Sequence, residues 1–283
     1  MLSTLVVLNL ITLVLHLVVQ CTIYKAKLRN NQYFLLQLLS CADMMLPILS
    51  LVTGLSKLAG YTDIIAKGAL VMSILKYLFH ILPYNITLII AVDRTIAVKY
   101  ALRYNAIVTK QKLLYAISTC VFVNIVVICC LLFIGGNSKT AESVILVFNK
   151  GIWIYYGSMG FLTCVIIFVL GKITKYLRDG NEDRIKSLNN IHGEKAEELD
   201  VVKKLKQTIR DMIKLNFWTC IFLLPLSVSC LVIAFESDYR KTALLANIIF
   251  VKVYALSNPI IYLTSFEKIR EFWRRTSSTV NQE

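Results

Sequence analysis

Ionisable side chains set in long apolar runs are where this sequence can do chemistry, because a charge held away from water must be paired, neutralised or solvated. Asp43 stands within the apolar run 33–56, and the pair Asp93-Arg94 closes the run 68–92. Lys76 lies inside that same run, with Tyr77 beside it and His80 and Tyr84 following at i+4 and i+8. On a helix that spacing puts Lys76, His80 and Tyr84 on one face. Lys252 lies seven residues before Pro259, within the run that ends in Asn258-Pro259-Ile260-Ile261-Tyr262. A lone buried carboxylate such as Asp43 is expected to face other polar groups and to be neutral, paired or ion-bound. The histidines His16, His80 and His192 are scattered, and no Ser/His or paired-carboxylate constellation stands out, so an enzyme is not expected. All eight cysteines fall in or at the ends of predicted helices, with no metal-ligand spacing and no disulfide framework. They are expected to pack between helices as small apolar residues.

The elements that hold these residues follow from composition. The chain has 283 residues, 57% of them hydrophobic, and a mean hydropathy of +0.66, an excess that a water-facing surface does not need. Seven stretches, about 2–24, 33–56, 68–92, 112–135, 151–173, 209–235 and 242–264, reach the length that crosses a bilayer. Lipid cannot satisfy exposed backbone groups, so each is expected to be a helix. The fold class is therefore an all-α seven-transmembrane bundle. The first stretch has no basic residue before it and no small-x-small cleavage site, so it is expected to be retained rather than cleaved as a secretory signal.

The net charge of +14 is a topology signal, not a nucleic-acid footprint. Of the 31 basic residues, 23 fall on the side of the connection that follows the first helix, six on the other side, and two, Lys76 and Lys252, inside spans. This asymmetry places the N-terminus outside and the C-terminus in the cytoplasm of a multi-pass protein. The outer connections, including that from about Gly136 to Lys150, are too short for a folded domain, so a ligand must enter among the helices. The segment from Lys172 to Lys206 is expected to be a solvated connection, broken in its middle around Gly180. From Glu194 a helical pattern runs into the sixth span. Residues 1–265 form the spanning domain. In 266–283, Phe266, Ile269, Phe272 and Trp273 recur at helical spacing among basic residues, as in an amphipathic helix lying on the inner leaflet. That tail has no cysteine for palmitoylation. No internal repeat supports a transporter. The sequon Asn85-Ile86-Thr87 lies within a span and is expected to be unused.

Three ordered motifs carry a resemblance. Ala91-Val92-Asp93-Arg94-Thr95, followed by Lys99-Tyr100-Ala101-Leu102-Arg103-Tyr104, resembles the Asp-Arg-Tyr motif and inner loop of rhodopsin-like (class A) G-protein-coupled receptors, with Thr95 where tyrosine is usual. Asn258-Pro259-Ile260-Ile261-Tyr262 matches Asn-Pro-x-x-Tyr, and Leu39-Ser40-Cys41-Ala42-Asp43 looks like Leu-x-x-x-Asp. Pro225 fits the kink proline of the sixth span. The resemblance covers nearly the whole chain. It implies a plasma-membrane receptor that passes the binding of an extracellular ligand to a heterotrimeric G protein. Arg94 beside Asp93 would hold the inactive state and then contact the G protein; the bland alternative is an arginine snorkelling to the interface. Pro225 and Pro259 would act as hinges. The aspartate matching Asp43 binds sodium in the family. Here Pro83 stands where a hydroxyl is usual, so a buried Asp43–Asn258 hydrogen bond is an equal reading.

The departures shape the ligand question. Ala69 replaces the usual disulfide cysteine, the fifth span lacks its proline and the fourth its tryptophan, and Leu223 stands where the sixth-span tryptophan is usual. The missing cysteine and fifth-span proline resemble the melanocortin branch and its lipid and cannabinoid relatives. In the family arrangement Lys76, Tyr77, His80 and Tyr84 face the pocket, and Lys252 approaches Lys76. Two buried cations repel unless an anion sits between them, so an acidic, partly apolar ligand is one reading. The other is that Lys252 snorkels outward and Lys76 is solvated by a wet cavity. Lys252 also matches the lysine that carries retinal in opsins, which makes a photoreceptor the alternative function. Met72 stands where many opsins place the counterion, leaving Glu142 as the substitute. Otherwise no cofactor is expected.

Overall fold

The computed structural model describes residues 2–28, 30–60, 62–100, 103–136, 141–189, 217–235, 240–265, 269 and 271–274. Seven helices are long and apolar enough to cross a membrane: Thr4–Lys25, Asn31–Ser56, Val71–Lys99, Lys110–Ile134, Lys150–Tyr176, Phe217–Phe235 and Thr242–Thr264. They belong to the longer elements α1 (Leu2–Lys25), α2 (Asn31–Leu58), α3 (Thr62–Lys99), α5 (Lys110–Gly136), α6 (Ala141–Asn189) and α8 (Arg240–Ser265), with α7 described over Phe217–Phe235. One short turn of helix, α4 (Tyr104–Ile107), lies in the connection between α3 and α5. The chain is a multi-pass helical membrane protein.

Several boundaries differ from the sequence expectation. The fifth spanning helix was expected over 151–173 but α6 runs from Ala141 to Asn189. It absorbs two thirds of the expected Gly136–Lys150 loop, residues 141–150, and Gly180 does not break it. Its added C-terminal end, residues 174–189, is mostly polar in sequence, so hydropathy gives no sign that the helix continues there. One interior glycine costs a helix only about 1 kcal/mol. α3, the helix that carries the third span, likewise begins at Thr62, before the expected start of the span at 68. The expected start of the sixth span at 209–216, the segment 190–208 and most of the expected tail helix lie outside the described residues. Of that tail, Ile269 is helical and fully buried, and residues 271–274 are helical.

Consecutive helices pack as neighbours: α1 on α2, α2 on α3, α3 on α5 and α6, α5 on α6, and α1 and α2 on α8. α6 meets α7 through glycines. A Cβ built on Gly157 would lie 2.5 Å from Leu231 and 3.0 Å from the Ser227 carbonyl, and one on Gly160 would lie 2.1 Å from the Ser227 hydroxyl. Such small residues let helix backbones approach where hydrophobic burial gives no drive. α3 therefore stands in the middle, touching α2, α5 and α6. α5 is the peripheral helix, with Phe122, Val123, Ile125, Val126 and Phe133 exposed, as lipid-facing residues should be.

Six threonine and serine hydroxyls inside the bundle are satisfied locally. Thr12, Thr22, Thr87, Thr95, Thr163 and Ser227 each donate to the carbonyl four residues earlier, so none of these six hydroxyls is left unpaired in hydrocarbon. Asn85 is buried in α3, which puts its sequon out of reach. The turn after α1 closes with Leu28 N–H on the Ile23 carbonyl and Lys27 N–H on that of Tyr24. Lys27 takes the left-handed φ of 51° there, the αL residue that such helix ends require.

Candidate functional site

The predicted polar residues are strung along the bundle at three levels. At the end opposite the Lys25 and Lys99 termini, a cavity of about 470 Å³ opens between α1, α2, α3, α6 and α8. Lys76, Tyr77 and His80 of α3 and Lys252 and Asn247 of α8 line it, with Asn9, Ser50, Thr53, Trp153 and Tyr156. The helix faces bring both lysines into one space. Lys76 Nζ donates to Thr53 Oγ1 at 3.2 Å, and Lys252 Nζ donates to Asn9 Oδ1. Among the described residues, no carboxylate lines it. The floor is aromatic: Tyr156 packs on Tyr77 at 5.7 Å, on His80 at 4.9 Å and edge-on to Trp153 at 6.3 Å.

Tyr84 is not in that cavity. It lies one turn deeper, where its hydroxyl meets His80 Nε2 at 3.1 Å, and it borders a void of about 20 Å³ with Asp43, His80, Pro83 and Tyr254. His80 thus touches both the upper cavity and the space above Asp43. Asn247 links the cavity sideways to α7, donating to Ser229 Oγ at 2.9 Å and Cys230 Sγ at 3.2 Å. Pro225 sits in α7, one turn before Ser229, half-buried. Fully buried Leu223 packs toward Gly160 of α6.

The middle level is built on Asp43. Its Oδ2 accepts hydrogen bonds from Asn258 Nδ2 and Tyr262 Oη, both at 3.0 Å. The Asn-Pro-x-x-Tyr spacing places both donors on the face of α8 turned to α2. Tyr262 also meets His16 of α1 edge-on at 6.4 Å, and His16 Nδ1 lies 3.0 Å from Ser40 Oγ. Besides Pro83 of α3, which borders the void, two further prolines act at this depth. Pro47 of α2 cannot bond the Asp43 carbonyl four residues back, and Pro259 of α8 cannot bond that of Ala255.

At the basic end, Arg94 is only 5% exposed, so it does not snorkel to water. One guanidinium nitrogen lies 3.0 Å from Asp93 Oδ2, and another donates to Gln32 Oε1 of α2 at 3.3 Å. Tyr104, at the start of α4, donates its hydroxyl to Asp93 Oδ1 at 2.5 Å. Burial, reinforced by the Asp93 carboxylate, raises the Tyr104 hydroxyl well above its usual range, which keeps it a donor. Asn31 Nδ2 fixes the same loop by donating to the Val108 carbonyl at 2.9 Å. Thr95 reaches Thr174 of α6 at 3.2 Å, hydroxyl to hydroxyl.

Sequence reasoning singled out the charged groups and missed their holders: Asn9, Thr53, Gln32, Tyr104 and Asn31. A usable signal existed for one. Asn9, Thr12 and His16 recur at i, i+3 and i+7 in an otherwise apolar first span and are all buried, so one polar face toward the bundle was readable.

A helical bundle with a polar track running from a cavity to a buried arginine is the architecture of a membrane receptor. The chain matches the family "7 transmembrane receptor (rhodopsin family)" over residues 16–262, and it belongs to that family, the rhodopsin-like G-protein-coupled receptors. No curated protein matches it.

Proposed function

We propose that this receptor binds an acidic, partly apolar extracellular ligand between Lys76 and Lys252 and relays it to a heterotrimeric G protein through Asp43 and Arg94. The observation that carries the ligand class is that Lys76 and Lys252 line one cavity over an aromatic floor. An anion there can accept a charge-assisted hydrogen bond from each lysine, while the aromatic floor takes an apolar body. A volume of about 470 Å³ lies within the range of small-molecule pockets. Transmission follows from contacts: a ligand that moves α3 or α8 disturbs His80, the void above Asp43 and the Asp43–Asn258–Tyr262 cluster together. In the resting arrangement Arg94 is held by Asp93 and Gln32. Activation frees it to face the G protein, in a bundle that lies in the plasma membrane with its basic end in the cytoplasm and its N-terminus outside.

The lineage reading, toward the melanocortin branch and its lipid and cannabinoid relatives, rests on the residues at 69 and in the fifth span and adds only that a lipid acid is a natural first candidate. Retinal on Lys252 is the weaker reading. A protonated Schiff base needs a carboxylate nearby, the described lining residues include none, and the side chain of Glu142 lies outside the described residues.

The test is a screen of carboxylic and phosphoric acids bearing apolar tails, read by G-protein activation in cells. Lys76→Ala and Lys252→Ala should each weaken a hit by roughly tenfold to a hundredfold, the size of a lost charge-assisted hydrogen bond. Unchanged potency in both variants would remove the anion pocket and leave the receptor assignment standing.

A further inference from the structure

Two reactive side chains outside the polar track meet at the seam between α6 and α7. All eight cysteines are free thiols, and those of Cys164 on α6 and Cys220 on α7 share a hydrogen bond. Cys164 is buried in the cluster that contains Leu223 and Leu226, and Cys220 packs against it half-buried. The contact follows from a glycine one turn away. A Cβ built on Gly160 would collide with the Ser227 hydroxyl and stand 3.5 Å from Leu223, so the two helix backbones run close together. Cys164 follows Gly160 by four residues and Cys220 precedes Leu223 by three, which puts both thiols on the facing sides, one turn nearer the basic end. Two thiols in hydrogen-bond contact need only about 2 Å of further approach to reach the S–S bond length.

The surroundings of the pair select its reactant. Phe161, Val165 and Phe168 of α6 and Phe217, Ile221 and Leu224 of α7 are exposed, and they form the lipid side of the seam. Cys164 lies twelve residues from Tyr176, the inner end of its span, which is about 18 Å along the helix. That is the depth of acyl chains, so an oxidant that reaches these thiols is one dissolved in hydrocarbon. Cys220 is the more open of the two and meets it first.

We infer that Cys164 and Cys220 are a redox-active pair, oxidised to a disulfide by an organic hydroperoxide dissolved in the bilayer, and that the bond ties α6 to α7. The Cys220 sulfur attacks the terminal oxygen of the O–O bond, and its thiol proton passes to the leaving alkoxide. The products are a Cys220 sulfenic acid and an alcohol. A hydrogen bond from the Cys164 thiol stabilises the thiolate that this attack requires. The Cys164 sulfur then attacks the sulfenic sulfur, the S–S bond closes, and the hydroxyl leaves as water with the Cys164 thiol proton. The two thiols lose two electrons and two protons, and the hydroperoxide is reduced to alcohol and water. A dithiol reductant restores both thiols.

The reduced full chain in phosphatidylcholine discs would be treated with cumene hydroperoxide, alkylated, digested and sequenced by tandem mass spectrometry. The expected product joins Cys164 to Cys220, has lost two hydrogen atoms, and disappears with dithiothreitol. A bond to Cys230 instead, or two alkylated thiols, would overturn the pair. In Cys164→Ser, dimedone should trap Cys220 as its sulfenic acid, and absence of that adduct would overturn the order of attack. Cys129→Ser/Cys130→Ser removes two exposed thiols of α5 and should keep the cross-link; its loss there would overturn the site. Hydrogen peroxide at matching aqueous concentration should give at least about tenfold less product, since it lacks the apolar body that concentrates cumene hydroperoxide in lipid. Equal yields would overturn the assignment to an apolar oxidant. The bonded form should melt about 5 °C or more above the reduced form, and equal melting temperatures would overturn the tie between the helices.

Discussion

Tyr104 donates its hydroxyl to Asp93 at 2.5 Å, so the connection between α3 and α5 is tied to the same carboxylate that pairs with Arg94. The loop and the arginine therefore share one anchor. Tyr104→Phe leaves Asp93 Oδ1 without its donor at a buried site, which costs about 1–3 kcal/mol and loosens the carboxylate's hold on Arg94. Ligand-free G-protein activation should rise several-fold in nucleotide exchange. Asp93→Asn should do the same, and unchanged basal exchange in both would show that the pair does not restrain the receptor.

Arg94→Ala should abolish G-protein activation while surface expression, followed by antibody labelling, stays measurable. Gln32→Ala removes only the 3.3 Å contact and should act oppositely, raising basal exchange modestly. Loss of signalling in Gln32→Ala as well would mean that α2 supports the active form rather than the resting one.

Asp43 takes both donors on one oxygen, so removing it strands two buried groups. Asp43→Leu should destabilise the receptor by about 2–6 kcal/mol, the cost of two unsatisfied donors, whereas Asp43→Asn keeps an acceptor and should cost much less. Replacing choline chloride with sodium chloride should not shift the melting temperature of the wild type selectively, since Pro83 borders the void where a hydroxyl ligand would be needed. A sodium-specific rise that disappears in Asp43→Asn would instead establish an ion site.

Gly157 admits no side chain, because the Ser227 backbone carbonyl, 3.0 Å from a built Cβ, cannot swing aside as a side chain can. Gly157→Ala should lower stability by about 1–3 kcal/mol, read as the midpoint of thermal unfolding in detergent. Leu231→Ala should recover part of that loss when combined with it, because Leu231 makes the closest contact, at 2.5 Å. Additive losses would place the strain elsewhere.

Much of the architecture was legible because lipid enforces it. Length and apolarity located all seven spans, and the two motifs with Asp43 named the residues that meet at the second and third levels. Lys76 and Lys252 were expected to approach one another and do line one cavity. The ends of α6 were not legible, since hydropathy marks where lipid stops and not where a helix does. Tyr84 was expected in the pocket from its i+8 spacing. However, eight residues along a helix descend about 12 Å, and the aromatic floor closes before that depth. Partners such as Gln32 and Tyr104 were hidden for a plainer reason: a neutral side chain near a span's end has no pattern to betray it until the neighbouring helix is in place.

Pro47 has a mechanical consequence. Gln32, which holds Arg94, lies on α2 fifteen residues from Pro47, roughly 22 Å along the helix. With one rung of its hydrogen-bond ladder missing, α2 is softest beside Asp43. A swing of about five degrees there carries Gln32 by about 2 Å, more than a 3.3 Å hydrogen bond can survive. α2 is thus a long arm pivoted at the Asp43 cluster, and a slight tilt near the pivot is enough to drop the arginine at its tip.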